Sequence, residues 1–383
     1  EAQALMSAHS ISGIPVVEAS GKLAGILTNR DVRFCSASDY KRPVSEFMTS
    51  EGLVTAREGT TLDEAKLLLQ RHRIEKLPLV DAHGRLRGLI TVKDIMKGQE
   101  FPNATRDSAG RLRVAAAVGV GDDLEQRVEA LAHEQVDAVV IDTAHGNSMG
   151  VVKAIERVKA SWPDLAVVAG NVVDESGVET LHGAGVDAVK IGVGAGSICT
   201  TRVIAGAGMP QLSAIWFASQ RAQQLGIAAI ADGGVTYSGD LVKALAAGAN
   251  VVMLGSLFAG TDEAPGEVEL FEGRRYKSYR GMGSLGAMAG LGADRYGSAQ
   301  GSGGRNKLVP EGIEGRVAYA GSLADVVYQL VGGLRSGMGY VGAATLLDLC
   351  RRAKFMRVTT AGREESHPHD VTITHESPNY HRS

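Results

Sequence analysis

Cysteine is scarce. The 383 residues hold three, Cys35, Cys199 and Cys350, far apart and with no C-x-x-C spacing. That excludes a disulfide scaffold and leaves no zinc-finger pattern. Aromatic residues are only 5%, and neither sign of charge prevails: 40 Lys+Arg against 43 Asp+Glu give a net charge of −3. Without a basic block, a nucleic-acid binder working through phosphate neutralisation is not expected. No apolar run reaches membrane-spanning length and no signal peptide is visible, so no membrane partner is expected and a reduced cytoplasm is the default compartment. Hydrophobic residues at 44% and charged residues at 22% exclude disorder over the whole length. The chain is long enough for one large domain or two ordinary ones.

What is abundant is glycine, 49 of 383, nearly twice the usual share of about 7%. The glycines stand at the ends of short β-branched runs. A parallel α/β protein puts there the loops that approach a ligand closely. The chain opens at Glu1 within a helical pattern, without a methionine, and reads as a fragment.

The first hundred residues contain a repeat. Ile11, Ile14–Pro15–Val16–Val17, Gly21, Gly25, Thr28 and Asp31 recur 63 positions later as Ile74, Leu77–Pro78–Leu79–Val80, Gly84, Gly88, Thr91 and Asp94. Such self-similarity marks a duplicated structural unit. Each copy reads helix, strand, glycine turn, strand, then a helix opening at the Asp. Leu62–Leu69 is the leading helix of the second copy and Ala2–Ala8 that of the first. Asp31 and Asp94 read equally as caps of the helices that follow.

From residue 112 the texture changes, after a polar, turn-rich stretch at 99–111 that reads as a linker. Short apolar runs, Leu112–Val118, Ala138–Asp142, Ala166–Asn171, Ala188–Gly192, Ala228–Asp232 and Val251–Gly255, alternate with amphipathic pieces such as Asp122–Ala132 and Met149–Ala160. Continuous apolar strands between helices predict a parallel sheet buried on both faces. Glycine or polar clusters follow nearly every run, which favours a (β/α)8 TIM barrel over a doubly wound open sheet with one switch point. Six strands are visible where a barrel needs eight, so the first two are expected before Glu1, with the repeat inserted between them and Leu112.

The sharpest chemical feature is Gly192-Val193-Gly194-Ala195-Gly196-Ser197-Ile198-Cys199-Thr200-Thr201-Arg202. Alternate glycines free the backbone, so its amides can cradle an anion and its carbonyls can ligate a hard cation. Cys199 ends this loop beside Arg202 and an expected helix start, both of which lower a thiol pKa. Cys35 and Cys350 read as small buried hydrophobes.

Seven ordered features now make a pattern: the paired repeat inserted in a barrel, G-x-G-x-G-S-I-C-T-T, D-G-G at Asp232, M-L-G-S at Met253, Y-R-G-M-G-S at Tyr279, D-R-Y at Asp294 and V-P-E-G-I-E-G at Val309. Over essentially its whole length the chain resembles bacterial-type IMP dehydrogenases, and the repeat resembles a CBS-domain pair. The resemblance divides the chain into a first CBS motif at 1–42, a second at 43–98, the linker at 99–111 and a catalytic barrel at 112–383 with a flap at about 270–320.

It implies oxidation of IMP to XMP with NAD+ in guanine nucleotide biosynthesis, helped by a monovalent cation, K+. Cys199 would form a covalent thioimidate with C2 of the base, and a thiolate suits that task because it attacks and leaves readily. Arg295, with Tyr296 and Thr201, would activate the hydrolytic water. The IMP phosphate would sit on Ser197, Gly233, Gly234, Gly255, Ser256 and Tyr279, its ribose on Asp232, and its base on Met282, Gly283 and Glu311, with Arg280 and Gly281 also in the substrate site. NAD+ would use Asp142, Thr143, Asn171 and Gly192-Val193-Gly194. The cation would take carbonyls of Gly194, Gly196 and Cys199, with Glu376, Ser377 and Pro378 from a neighbouring subunit, which implies a homotetramer or octamer. Thr28, Asp31, Thr91 and Asp94 would hold adenine or guanine nucleotides at the CBS pair.

The chain departs from the family at residues 297–304, a glycine-serine run where an aromatic residue and more charge are usual. Such a run is flexible. Without two barrel strands, apolar edges would be exposed, which predicts poor folding and little turnover of this chain alone. Two competing functions are a GMP reductase, which has no need of the arginine flap, and a non-catalytic nucleotide sensor built on the CBS pair.

Overall fold

Two hairpins 63 residues apart open the structure. β1 (Gly13–Val17) pairs antiparallel with β2 (Leu23–Thr28) after helix α1 (Ala2–Ala8). The computed structural model describes residues 1–36, 38–108, 110–289, 309–375 and 377–380. It divides into two units, Glu1–Arg113 and Val114–Ser383.

In the first unit a short strand, β3 (Ala56–Arg57), and helix α2 (Leu62–His72) precede the second hairpin. There β4 (Lys76–Val80) pairs antiparallel with β5 (Leu86–Thr91), and α3 (Val92–Glu100) follows. Each strand of the second hairpin lies 63 positions after its counterpart, with the register shift at the same place, Val16/Val17 and Leu79/Val80. Gly21 and Gly84 turn the two hairpins at φ +81° and +77°. The hairpins join reciprocally, Leu23 N donating to Gly84 O and Leu86 N to Gly21 O, each at 3.0 Å. Ala65, Leu69 and Leu77 are the buried centre of this unit.

The two copies part after their second strands. Thr91 caps α3, and its side chain and that of Asp94 form a capping box. The helix therefore opens at Val92, two residues before the Asp. Thr28 and Asp31 make the same local contacts, with Asp31 Oδ2 accepting from Thr28 N and Oγ1 at 2.7 Å. Yet residues 29–34 form turns, and no helix opens at Asp31. The backbone bonds there close successive three-residue turns, Asp31 N on Thr28 O at 3.0 Å and Cys35 N on Val32 O at 3.2 Å. Just downstream Asp39 accepts from the backbone and hydroxyl of Ser36 at 2.9 and 2.7 Å, a local bonding of the kind that competes with helix.

The second unit is built on a parallel sheet in sequential order: β6 (Ala115–Val118), β7 (Ala138–Asp142), β8 (Ala166–Val172), β9 (Ala188–Ile191), β10 (Ala228–Asp232) and β11 (Val251–Met253). The crossovers carry α4 (Leu124–His133), α5 (Met149–Ser161), α6 (Glu175–Ala184), α7 (Thr201–Ile204), α8 (Gln211–Gln224) and α9 (Ser238–Ala246). The six apolar runs of the sequence are these six strands. Val139, Ile141, Val167, Ala169, Val189, Ile191, Ala229 and Ala231 pack with Val128, Ile155, Leu181 and Ile215 of the helices into one core. The helix-facing residues of the strands are buried, while alternate ones such as Ala138, Val140, Ala228 and Ile230 are half-buried; the two-sided cover expected from the sequence is complete at β9 and not at the edge strands β6 and β11. This is a TIM-barrel-like α/β fold, with six barrel strands among the described residues.

Beyond β11 come α10 (Ser256–Ala259), an antiparallel sheet of β12 (Val268–Phe271), β13 (Arg274–Arg280) and β14 (Glu314–Ala318), and the short α11 (Leu285–Met288) between the last two. The long α12 (Leu323–Val341) and α13 (Leu346–Arg352) bury Leu334, Met338 and Leu349 against Leu241, Leu245 and Ala246 of α9. No helix among the described residues is long and apolar enough to cross a membrane.

Candidate active site

The carboxyl ends of β7 to β11 carry the polar residues that the apolar strands cannot bury, and they converge. β9 runs straight into the glycine loop. Gly192 has φ +139°, and a Cβ there would lie 2.3 Å from the carbonyl oxygen of Asp232; a side chain is excluded on both counts. Gln211, at the start of α8, ties the same two strands by donating Nε2 to Ile191 O and Asp232 O, both at 3.0 Å. Asn171, at the end of β8, donates to Gly192 O at 2.6 Å. Arg202 donates Nε to Val193 O at 3.1 Å and Nη2 to Met209 O. The arginine expected to act on Cys199 thus bonds instead to the carbonyls that shape the loop.

Cys199 closes the loop one residue before the N-cap of α7, Thr200. Its sulfur lies 3.2 Å from Thr201 Oγ1 and 3.7 Å from Glu311 O. Residues 311–313 are stitched to the cysteine loop, Thr200 N donating to Glu311 O at 2.9 Å and Ile313 N to Ile198 O at 3.0 Å. Glu311 N donates in turn to Gly283 O, and Gly281 N to Ile313 O. Gly281, Gly283 and Glu311 are therefore tied through backbone bonds to the loop that ends in Cys199, and Met282 between the two glycines is exposed. Arg280 sits exposed at the end of β13, in register with Glu314 of β14.

The glycines that follow β10 and β11 lie beside this loop. Gly233 and Gly234 have φ +87° and +77°, and Gly233 approaches Ala195 and the amide of Gly196. Gly233 N reaches Met253 O at 3.4 Å, joining the two strand ends. Tyr279 of β13 lays its hydroxyl on Gly255, where a Cβ would lie 2.6 Å away, and Ser256 opens α10 beside it. Burial, then the charge of Asp232, push the Tyr279 phenol above its ordinary value, so it remains an O–H donor. Backbone amides of positive-φ glycines with a hydroxyl are what a phosphate site needs.

Deeper in the cleft is a residue that the sequence reading passed over. Lys190 in β9 is 1% exposed, and its Nζ joins Asp142 Oδ1 at 3.0 Å and Asp232 Oδ2. Asn171 Nδ2 adds a bond to the same Asp232 oxygen at 2.9 Å. Thr143 is buried, with its hydroxyl donating to Gly170 O at 2.7 Å. It holds the ends of β7 and β8 together. Asp142 does not cap the following helix, which Ser148 does. The signal for Lys190 was a lone lysine inside Ala188–Ile191, where a charge buried on both faces must find partners.

Among the described residues no cluster of three His, Cys, Asp or Glu side chains could hold a metal ion. The turn closed by Cys199 N on Gly196 O at 3.1 Å offers carbonyl donors instead, which suit a hard cation. Ser377 and Pro378 lie in a tail that returns to its own chain: Tyr380 stacks on Tyr237 at 5.6 Å and meets His367 Nδ1 at 2.9 Å. Arg295, Tyr296 and Glu376, with the 297–304 run, lie outside the described residues. In the first unit, Thr28 and Asp31 line a cavity of about 490 Å³ with Arg30, Arg73, Glu75 and Lys76. Thr91 and Asp94 are joined in their capping box.

The family model for the IMP dehydrogenase / GMP reductase domain matches residues 41–369, and that for the CBS domain matches residues 1–37. The inosine-5′-monophosphate dehydrogenase of Aquifex aeolicus is 59% identical over 381 residues, 99% of this chain and 77% of that protein. That of Streptococcus pyogenes is 58% identical over 383 residues, with the same coverage. A crystal structure of GMP reductase from Trypanosoma brucei, in complex with guanosine 5′-monophosphate, superposes with a TM-score of 0.83 at 40% identity, covering 94% of this chain and 74% of that one. The chain belongs to the IMP dehydrogenase / GMP reductase family, on the side of its bacterial IMP dehydrogenases.

Proposed function

We propose that this protein oxidises IMP to XMP with NAD+ through a covalent intermediate on Cys199, in guanine nucleotide biosynthesis. The observation that carries the reading is the setting of Cys199. Its sulfur is held beside the Thr201 hydroxyl at the centre of glycine-rich strand ends that supply amides for a phosphate and carboxylates for two riboses.

In the first half-reaction the Cys199 thiolate bonds to C2 of the hypoxanthine, and the C2 hydrogen departs with its electron pair. NAD+ supplies the acceptor for that hydride. In the second, water adds to C2, the C–S bond breaks, and the thiolate is restored as XMP leaves. The sum is IMP, NAD+ and water giving XMP, NADH and a proton. Thr201 donates its hydroxyl hydrogen bond to the sulfur as a thiolate. Ser197, Gly233, Gly234, Gly255, Ser256 and Tyr279 hold the phosphate, and Asp232 accepts from the ribose hydroxyls. Met282, Gly283 and Glu311 border the base. Asp142, Asn171 and Gly192–Gly194 receive the cofactor, for which Thr143 sets the backbone.

Arg295 and Tyr296 are the proposed hydrolytic base and its helper. The carbonyls of Gly194, Gly196 and Cys199, completed by Glu376, Ser377 and Pro378 of a second chain, are the proposed K+ site, and with it goes a homotetramer or octamer. Thr28 and Asp31 in the first unit's cavity are the proposed contacts for an adenine or guanine nucleotide. Soluble nucleotide substrates fit a cytoplasmic enzyme.

Because a GMP reductase is among the solved structures that superpose on this chain, the deciding experiment compares the two chemistries on the same protein. Reduction of NAD+ with IMP, and none of NADPH oxidation with GMP, is the expected result. The opposite pattern would make the chain a reductase, IMP binding without turnover would turn attention to the glycine-serine run at 297–304, and no binding of IMP would favour the nucleotide sensor.

A further inference from the structure

Lys190 has no part in the reaction as written, yet it is one of the most deeply buried large side chains. Every residue of its strand, Ala188–Ile191, is buried. A buried ammonium persists only with partners, and the partners here come from two other strands. Asp142 ends β7 and Asp232 ends β10. Asp232 accepts a hydrogen bond from the one Nζ and Asp142 Oδ1 forms an ion pair with it at 3.0 Å, and their side chains remain 22% and 25% exposed against 1% for the lysine. Asn171 at the end of β8 donates to the same Asp232 oxygen and to Gly192 O. Four adjacent strand ends thus share a single network, closed beneath and open above.

We infer that Lys190 is a positioning residue that couples the two nucleotide sites. The inference rests on the reading of Asp142 as the acceptor for the cofactor ribose and Asp232 as that for the substrate ribose. One ammonium with three donors serves two carboxylates, so a change at one carboxylate shifts the ammonium toward the other. An Asp232 that holds Lys190 more tightly is a poorer acceptor for ribose hydroxyls. The coupling is reciprocal, as linkage requires.

The test exploits the fact that Asp142 has no place in the IMP site. Binding of IMP to the full chain is measured by calorimetry, without NAD+, for the native protein and for Asp142→Asn. Transfer of the ammonium to Asp232 is expected to weaken IMP binding about fivefold in the variant. In a Lys190→Gln background the same Asp142→Asn change is expected to add nothing. If Lys190→Gln lacks a melting transition, the Asp142→Asn shift is measured instead at about 0.05 and 0.5 M salt, since salt screens a field through solvent but not a buried contact.

An unchanged IMP affinity in Asp142→Asn overturns the inference, as does a shift that survives in Lys190→Gln or vanishes at high salt. Failure of the native chain to bind IMP overturns the functional reading, and the coupling with it. Binding without the Asp142→Asn shift overturns the coupling alone.

Discussion

The Cys199 sulfur and the Thr201 hydroxyl oxygen are 3.2 Å apart, one on each side of the residue that caps α7. Thr201 is 9% exposed, so little water competes for the contact. Removing the hydroxyl but keeping the shape, in Thr201→Val, is expected to lower kcat by about 10²-fold with little change in IMP affinity. Thr201→Ser should retain most of the rate. Steady-state kinetics with IMP and NAD+ decide it, and an unimpaired Thr201→Val would remove the hydroxyl from the chemistry.

Tyr279 supplies a second expectation. Burial first and the Asp232 charge second hold its phenol above the ordinary value. The sign follows: the native state keeps this proton more tightly than the unfolded chain. The tyrosine's contribution to stability is whole below about pH 10 and is lost as pH rises through the higher native value. Through neutral and mildly alkaline pH it stays a donor. Tyr279→Phe should weaken IMP binding about tenfold, by a factor that is the same at pH 7 and pH 9. A Tyr279→Phe protein with native IMP affinity would exclude the hydroxyl from the phosphate site.

Gly192 tests the geometry of the loop. Gly192→Ala places a methyl 2.3 Å from Asp232 O at φ +139°, which adds overpacking to backbone strain. A loss of about 2–4 kcal/mol in stability is expected, read from urea unfolding. The substitution at Gly150, whose Cβ would meet nothing within 4 Å, should cost far less. Equal losses at both glycines would deny the close approach of β9 and β10.

The strands of the barrel were legible because Ala138–Asp142, Ala188–Ile191 and their fellows carry almost no polar interruption and bury their helix-facing residues in one core. The hairpin repeat was legible because its pattern of Pro, Gly and Thr recurs at a fixed interval. The helix expected at Asp31 was not there: residues 28–35 close three-residue turns and Ser36 bonds to Asp39 beyond them, local bonding that a repeat comparison does not see. At the site, the glycine loop and Cys199 stood out by composition. Lys190 did not, because its meaning depends on two carboxylates 48 residues before and 42 residues after it, which only the adjacency of the strand ends brings together. Gln211 was missed for the same reason, since its two acceptors are backbone atoms of different strands.

The first unit should be sensitive to acid. Backbone donation from Ser36 holds Asp39 below the usual carboxylate range, that from Thr61 does the same for Glu64, and that from Arg85 for Asp81. Carboxylates depressed in the native state stabilise it above the unfolded value of about 4 and lose that contribution as pH falls through the native values. Thermal melts between pH 7 and pH 3 should show the midpoint of this unit falling below about pH 4. In Asp81→Asn the fall should be shallower. A slope unchanged by the substitution would rule out Asp81 as a source of the acid response.

The most direct test of the whole account is NADH formation from IMP and NAD+ in the presence of K+, with intact-mass analysis of protein quenched during turnover. Because little turnover is expected of this chain alone, the test uses the chain extended to the full length of its curated relatives, of which it covers 77%; that protein is expected to form NADH and to carry an added IMP-derived mass on the peptide containing Cys199. Cys199→Ala is expected to lose about 10⁴-fold or more in rate and to carry no added mass. NADH production that survives in Cys199→Ala would contradict the covalent mechanism and the assignment of the site.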